Sequence, residues 1–298
     1  MFAALATLFA GLGAAAASPV DRLVSAFLAG DRLELARSGW HLGAVGVEAE
    51  LASPDRVRSM AALAAAPHAE DGWMLLDPLA AMAQGSDRPR AAAAARAAAA
   101  IARDLDRERA LYLDVPLELL AAPLARWQQI AADPARWADV RVHALTTAQF
   151  LGPTIEPGNL GYDAAAHASD AEPEIRRAAL ELLPQPLSAE HLELASARAR
   201  TEDDPDVAAV AGQVVCGGIA AGDKPGPILA ALGAGGLARV RALLLEPPGT
   251  APPAAMLDAA LCAIAAGDAD SRRALSRFRG QLDPEVRKLF DARRAWLE

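Results

Sequence analysis

The sequence predicts an all-α fold, and three observations lead to that prediction. Alanine is the commonest residue, and it has the highest helix propensity of any amino acid. Aromatic residues make up only 4% of the chain, whereas β-strands are enriched in aromatic and β-branched side chains. A helix-start pattern recurs along the chain, and the segment DAEPEIRRAAL at residues 170–180 is its clearest copy.

Each residue type in that segment has a local reason to begin a helix. Asp170 can accept hydrogen bonds from the free N–H groups of a first turn. Pro173 suits the first turn because its missing N–H costs no hydrogen bond there, and Glu174 favours the positive end of the helix dipole. Ile175 then begins an apolar face, so the segment predicts a well-capped helix.

Similar segments recur at a spacing that is typical of stacked helix pairs. Four of the six intervals between their first apolar residues are 32–35 residues long, and the two longer intervals indicate insertions. An arginine directly follows that apolar residue in six of the seven copies. The aligned apolar residues are Val57, Pro89, Val140, Ile175, Val207, Val240 and Val286.

The recurring form D-x-x-P-E-V-R-x-x-A-x-x-A-L resembles the second helix of HEAT repeats, especially the short bacterial kind related to phycobilin lyases. The resemblance covers roughly residues 50–298 and implies an α-solenoid, a right-handed α-α superhelix of stacked helix pairs. It also implies that acids and arginines near the helix starts bond between adjacent repeats as scaffold residues. In this sequence those positions are Asp139, Arg141, Glu174, Arg176, Glu285 and Arg287.

The expected organisation is a single HEAT-like repeat domain over residues 18–298, with about six to seven helix pairs. Residues 104–132 exceed one repeat unit and begin with dense charge, so they form either a degenerate repeat or an insertion on one face. Residues 246–253 hold consecutive prolines, which cannot continue a helix, and they predict a break.

The first 17 residues have the features of a signal peptide. They are apolar and uncharged and end in small residues, with Ala15 and Ala17 in an A-x-A cleavage pattern, although no Lys or Arg precedes the apolar run. We therefore expect export to the periplasm or cell envelope, with an uncleaved anchor or a buried first helix as alternatives. The later sequence shows no other segment apolar enough to suggest a membrane span.

A dinucleotide-binding domain is the alternative for the same region. Residues 11–16, GLGAAA, match the form G-x-G-x-x-A, which binds phosphate only between a strand and a helix of a parallel sheet. The segments that follow have helical patterns instead, which disfavours this alternative.

The two cysteines, Cys216 and Cys262, both lie in apolar runs. This placement favours small buried side chains on helices. A disulfide is permitted in an oxidising compartment, but the sequence does not show whether the two residues approach within bridging distance.

Several chemistries are disfavoured by the sequence. The net charge of −9 and the lack of a basic stripe disfavour nucleic-acid binding. The histidines lack zinc-binding spacings, and nucleophile and phosphate-loop motifs are missing, so no catalytic residue, cofactor or metal is predicted. The five histidines are His41, His68, His143, His167 and His191.

The predicted function is therefore a non-catalytic protein-binding or scaffolding module of the cell envelope. Trp127 and Trp137 are candidate partner-binding residues, because tryptophan is enriched at interface hot spots. The alternative for these two residues is that they fill core space that alanine leaves empty. The alternative function is a lyase- or chaperone-like protein that holds a ligand in a concave groove of the solenoid.

Overall fold

A computed structural model of the chain describes residues 18–107, 115–155, 163–245 and 253–297. Helix accounts for 82% of the structure, and these described ranges contain no strand. The prediction of an all-α fold is confirmed. The signal-peptide prediction and the G-x-G-x-x-A match both fall in residues 1–17, outside the described ranges.

The chain divides into two compact units, residues 1–78 and residues 79–298. In the first unit, α1 (Pro19–Ala29), α2 (Arg32–Leu51) and α3 (Arg56–Ala65) pack against one another. Ser18 caps α1 by accepting a hydrogen bond from the N–H of Asp21 at 3.1 Å, as its sequence position favours. Short helical turns at Ala66–His68 and Gly72–Leu75 follow, and α4 (Leu76–Ala83) crosses the boundary between the units.

The second unit is a succession of helices, most of them started by the residues that the sequence pattern indicates. Ser188, Asp204 and Asp268 cap their helices with side-chain hydrogen bonds, and several helices carry proline in the first turn. The helices are α5 (Arg88–Arg107), α6 (Ala121–Ala132), α7 (Ala138–Ile155), α8 (Pro173–Glu181), α9 (Ala189–Thr201), α10 (Pro205–Ala220), α11 (Pro225–Leu245), α12 (Pro253–Ala266), α13 (Ala269–Gln281) and α14 (Pro284–Leu297).

Two rows of helices can be traced through this second unit. One row is α5, α7, α8, α10, α12 and α14, in which each helix contacts the next. The other is α9, α11 and α13, again with contacts between neighbours. Helices adjacent in sequence, such as α9 with α10 and α11 with α12, join the two rows. Each of these four helices therefore packs against helices of its own row and against helices of the other row.

The effect of the alanine-rich composition on helix packing is clearest in α5. Its sequence between Arg90 and Arg103 is almost entirely alanine, and most of those alanines are buried. The largest contact of α5 is with α7. Small side chains on one helix let a neighbour pack closely, so the composition that predicts helices also permits their close packing.

Six of the seven aligned apolar residues lie within the first turn of a helix, as the repeat pattern predicts. The exception is Val240, which lies near the end of α11 and in the row of α9 and α13. Gly233 has φ +60° and kinks α11, so a second helical stretch begins just before the segment GLARVRALLL. Val240 lies in the second turn of that stretch and not in its first.

Helix α11 also departs from the expectation about membrane spans. It is 21 residues long, and an 18-residue window within it has a mean hydropathy of 1.7, so its length and composition suffice to cross a membrane. The helix contacts α9, α10, α12 and α13, and 28% of that window is buried.

Cys216 on α10 and Cys262 on α12 are joined by a disulfide, with 5.5 Å between their Cα atoms. Both cysteines are fully buried. The sequence favours buried helical cysteines, which the structure shows, but it does not reveal that α10 and α12 are neighbours in one row. Closing a loop across a separation of 46 residues contributes about 4 kcal/mol in the chain-entropy treatment.

The two predicted irregular regions are described in part. Within residues 104–132, α5 continues to Arg107, residues 108–114 lie outside the description, and α6 packs against α7 as the first helix of a pair would. Residues 246–252 also lie outside the described ranges, and α12 begins at Pro253.

Candidate functional site

Three arginine–acid pairs connect neighbouring helices of the same row, and we call them the arginine ladder. In each pair the acid lies directly before the first turn of the next helix in that row, so the pair links α7 to α8, α8 to α10, or α11 to α13. The pairs, separated by 29, 26 and 27 residues, are Arg141 with Asp170, Arg176 with Glu202, and Arg241 with Asp268.

Arg141 is the most buried arginine of the ladder, with only 3% of its side chain exposed. Its Nε donates to the carbonyl of Ala131 at 3.0 Å, and its two terminal nitrogens donate to the carboxylate of Asp170. The guanidinium thus joins the end of α6 to the start of α8 while it projects from α7. A buried guanidinium is tolerated because its donors are used.

Arg176 makes the second pair of the ladder with a two-nitrogen grip on Glu202. Its Nε and Nη2 donate to the two carboxylate oxygens at 3.2 and 2.6 Å. Its Nη1 donates to the carbonyls of Asp170 and Ala171 at 2.9 and 3.0 Å, in the loop before its own helix. Arg198 adds a longer contact to Glu202 at 3.4 Å, so this carboxylate lies between two arginines.

Charge and hydrogen bonding shift the pKa of both buried carboxylates. Burial acts to raise the pKa of Asp170, but the hydrogen bonds from Arg141 and from the N–H of Glu172 outweigh it and hold the pKa below its usual value. The pKa of Glu202 is lowered in the same way, by Arg176 and by the N–H of Asp204 against the effect of burial. Both carboxylates are therefore ionised at neutral pH and bound to their arginines.

The predicted acidic scaffold positions have different surroundings from the ladder acids. Asp139 contacts Arg88 of the neighbouring α5 at 3.4 Å. Glu285 pairs with Lys288 within α14, and Arg287 donates to the carbonyl of Leu282, which also keeps its bond local. Glu174 is exposed on the first turn of α8, and in the described part of the chain it has no ion pair. The bonding acids instead stand in the loops, because those loops carry them toward the preceding helix of the row.

The tryptophan prediction is corrected for Trp127. This side chain, on α6, is fully buried at 0% exposure and belongs to the core, so it is not an exposed anchor. Trp137 is half-buried just before α7 and does not form an exposed pair with it. Trp127 lies on α6, which packs against α7.

A cleft of about 460 Å³ lies between the start of α10 and the second half of α11. Five of its nine lining residues are small or apolar, and the exposed Asp203 and Asp206, just before and within the first turn of α10, also line it. Arg239 crosses from α11 and donates to the backbone carbonyl of Glu202, which joins the cleft to the arginine ladder. The lining residues are Glu202, Asp203, Pro205, Asp206, Ala208, Ala209, Arg239, Ala242 and Leu243.

The charges of the cleft are uneven. Among the residues that the structure describes, the carboxylates of Asp203 and Asp206 form no ion pair. Glu202 is bound by Arg176, whereas Arg239 keeps its positive charge while its Nη1 donates to a neutral carbonyl. The two unpaired carboxylates outnumber the charge of Arg239, so the net charge that they leave in the cleft is negative. Such a surface suits a cationic group that carries apolar atoms next to its charge.

The sequence carries a weak signal for this cleft in the acidic run at the start of α10. The run TEDDPD contains four acids before and within the first turn of α10, but the cap itself uses only Asp204. The surplus acids Asp203 and Asp206 are the ones that face the cleft. Arg239 could not be selected, because nothing in the sequence shows that α11 lies against the start of α10.

The described residues hold no group of three or more His, Cys, Asp or Glu residues arranged to bind a metal ion. The most enclosed histidine contact is that of His191, whose Nε2 lies 3.2 Å from the carboxylate of Asp163. This contact joins the start of α9 to the segment between α7 and α8, and it belongs neither to the cleft nor to the ladder. Comparisons with protein-family models, curated proteins and solved structures found no match.

Proposed function

We propose that this chain is a non-catalytic binding module in which helix pairs stack as in HEAT-like repeats and the α10/α11 cleft receives a protein partner. The cleft is the observation that carries the proposal. It combines apolar walls with the unpaired carboxylates of Asp203 and Asp206, so it suits a basic side chain, Lys or Arg, presented by the partner.

The stacked arrangement is supported by the two rows of helices and by the ladder between neighbours of a row. In a solenoid each repeat contacts only its neighbours, and its stability depends on the interfaces between repeats. The pairs of Arg141 and Arg176 lie at such interfaces. Because Glu202 belongs to both the ladder and the cleft, the ladder also fixes the wall against which the partner binds.

Site-specific photocrosslinking in the native cell tests this function. A photoreactive residue at Ala242, which is exposed and lines the cleft, should capture one dominant protein. The same residue at Ser276, exposed on α13, should not capture it. Equal capture from both positions, or the absence of any dominant product, would contradict the proposal.

Two charge-reversal variants test whether the acids of the cleft are needed for this capture. Asp206→Lys at the cleft should reduce capture from Ala242 strongly, because it repels the basic side chain of the partner. Glu190→Lys is the matched control, since Glu190 is an exposed acid in the first turn of α9 and does not line the cleft. Equal loss of capture in both variants would mean that overall charge, and not the cleft, governs binding.

A small-molecule ligand in the same cleft is the second candidate function, and the cleft volume favours it. Ligand pockets have volumes of about 300–1,000 Å³, a range that includes this cleft. A cationic ligand would then replace the basic side chain of a partner. Native mass spectrometry of protein purified from its own cells would show such a ligand as a constant added mass that Asp206→Lys removes.

The proposed location is the cell envelope. The buried disulfide between Cys216 and Cys262 supports it, because disulfides persist in oxidising compartments, and so do the signal-peptide features of residues 1–17. Rapid alkylation of protein in intact cells, before and after reduction, should label the cysteines only after reduction. Thiols that react without reduction after unfolding, together with an intact Met1, would place the protein in a reducing compartment.

A further inference from the structure

A second surface, in the middle of α5 and α7, carries positive charge that the ladder and the cleft do not use. Arg96 and Arg103 are exposed and stand seven residues apart on α5, which places them on one face of the helix. In the described part of the chain, neither arginine has a carboxylate partner. Many other arginines of the second unit pair with a carboxylate, whereas these two leave positive charge available on one face of α5.

Two contacts fix how this face lies against α7. Arg88 contacts Asp139 near the start of both helices, and Arg103 lies over the ring of Phe150 further along both. The two helices are therefore parallel. Arg96 stands about midway between Arg88 and Arg103, so it is level with the part of α7 midway between Asp139 and Phe150.

His143 lies in that part of α7, on the same helical face as Phe150 seven residues later. Its surroundings agree with the helix register. The pKa of His143 is lowered, first by its partial burial and then by the positive charges of Arg96 and Arg103 from α5. Asp139 of its own helix acts in the opposite direction, and no described ionisable group of α6 or α8 adds to these effects.

The contact of Arg103 with Phe150 leaves the arginine ready to bind a further group. Its guanidinium carbon lies 5.8 Å from the ring centroid, a distance typical of a cation–π contact. Among the described residues, Arg103 makes no hydrogen bond. Phe150 therefore contacts the guanidinium while its N–H donors stay available.

We propose that Arg96, Arg103 and His143 form a binding site for a small ligand that carries a doubly charged oxyanion. Two guanidinium groups supply the charge and planar donor pairs that bind phosphate-type or carboxylate oxygens, and His143 supplies a third nitrogen donor once it is protonated. The positive groups are too few to neutralise the many phosphates that a nucleic acid presents. The site is separate from the α10/α11 cleft and does not depend on the function of that cleft.

The test follows the imidazole signal of His143 by NMR in the full-length protein during titration with sulfate, which stays doubly charged across the pH range used. Sulfate should shift the signal to saturation and should raise the pKa of His143, because a bound anion favours the imidazolium. Binding should accordingly tighten as the pH falls through the pKa of His143. A parallel titration with malonate distinguishes a tetrahedral oxyanion from a dicarboxylate, and saturation by either one supports the site.

Variants identify the residues responsible. Arg103→Ala should weaken binding about tenfold, the effect of losing charged hydrogen bonds. Arg103→Lys should restore it only in part, since an ammonium lacks the planar fork. Arg277→Ala is the matched control, because Arg277 is an exposed arginine on α13 without a described ion pair, and it should bind sulfate as the wild type does.

Three results would overturn the proposal. The first is a shift that grows linearly with sulfate and malonate without saturation. The second is an equal shift with sodium chloride at the same ionic strength, which would show only screening. The third is equal weakening by Arg277→Ala and Arg103→Ala. Because both substituted arginines are exposed, circular dichroism should confirm that all variants keep the wild-type helix content.

Discussion

Two arginines in different regions of the molecule grip a carboxylate in the same way but in different surroundings. Arg176, in the ladder, donates two hydrogen bonds to Glu202, and Arg279 on α13 donates two to Asp291 on α14, both at 2.8 Å. The side chains of the first pair are 14% and 3% exposed, whereas those of the second are 45% and 42% exposed. Both arginines use two nitrogens on one carboxylate, and the pairs differ in burial and in the additional partners of the buried pair, two backbone carbonyls for Arg176 and Arg198 for Glu202.

Burial changes what each pair contributes. An exposed pair gains little, because water and salt screen it and because two long side chains lose freedom. A buried pair has already lost its hydration, so removal of one partner leaves a charge that nothing compensates. We therefore expect the ladder to hold neighbouring helices of a row in place, while the pair of α13 and α14 marks a surface contact.

The largest expected effect is that of Arg176→Met. It should lower the free energy of unfolding by about 3 kcal/mol, because Glu202 stays buried without its main partner. Urea unfolding of the oxidised protein at pH 7 measures the change. Arg177→Met is the matched control, since the neighbouring Arg177 is exposed and contacts only the exposed Glu181 at 3.5 Å. Equal destabilisation by the two variants would mean that burial does not distinguish them.

The next largest effect is a pH dependence of the difference in free energy of unfolding between wild type and Arg176→Met. The pKa values of Asp170 and Glu202 are lowered by folding, so their stabilising contribution is complete above the unfolded values of 3.8 and 4.5 and is lost as the pH falls through the folded values. Protonated Glu202 carries no charge that an arginine must compensate. The difference in free energy of unfolding between wild type and Arg176→Met should therefore shrink below pH 4.5. Unfolding curves between pH 7 and pH 3 measure it. A difference that stays constant across this range would show that Arg176 acts through packing and not through charge.

The smallest effect is expected at the exposed pair. Arg279→Met should leave the unfolding midpoint in urea close to that of the wild type, and any difference should vanish in high salt. The same salt series should leave the effect of Arg176→Met almost unchanged, because buried pairs are screened much less. A large loss of stability in Arg279→Met that does not depend on salt would show that the exposed pair contributes as much as the buried pairs of the ladder.

The sequence predicted the helices better than their connections. Composition and helix-start residues such as Pro173 and Asp204 are local signals, so the all-α class and most helix starts could be predicted. The resemblance to HEAT repeats implied that Arg141 and Arg176 are scaffold residues. Their partners could not be predicted, because an acid 26 or 29 residues later reaches them only through the path of a loop.

The candidate site shows the same limit. Asp203 and Asp206 are visible in the sequence as surplus acids, but the cleft exists only because α11 brings Arg239 and Leu243 against the start of α10. Trp127 was a candidate partner-binding residue because tryptophan is enriched at interface hot spots, but that tendency does not show which way the side chain faces, and Trp127 is buried. Side-chain direction depends on which helices are neighbours, and no short motif encodes that.

A double-mutant cycle on Arg176 and Glu202 tests most directly whether buried arginine–acid pairs hold neighbouring helices together. The variants are Arg176→Met, Glu202→Gln and both together, each unfolded in urea at pH 7 beside the wild type. The ladder predicts a coupling free energy on the order of 2 kcal/mol, with the double variant more stable than the sum of the single losses implies. A coupling within error of zero would contradict it, since the two side chains would then contribute to stability independently.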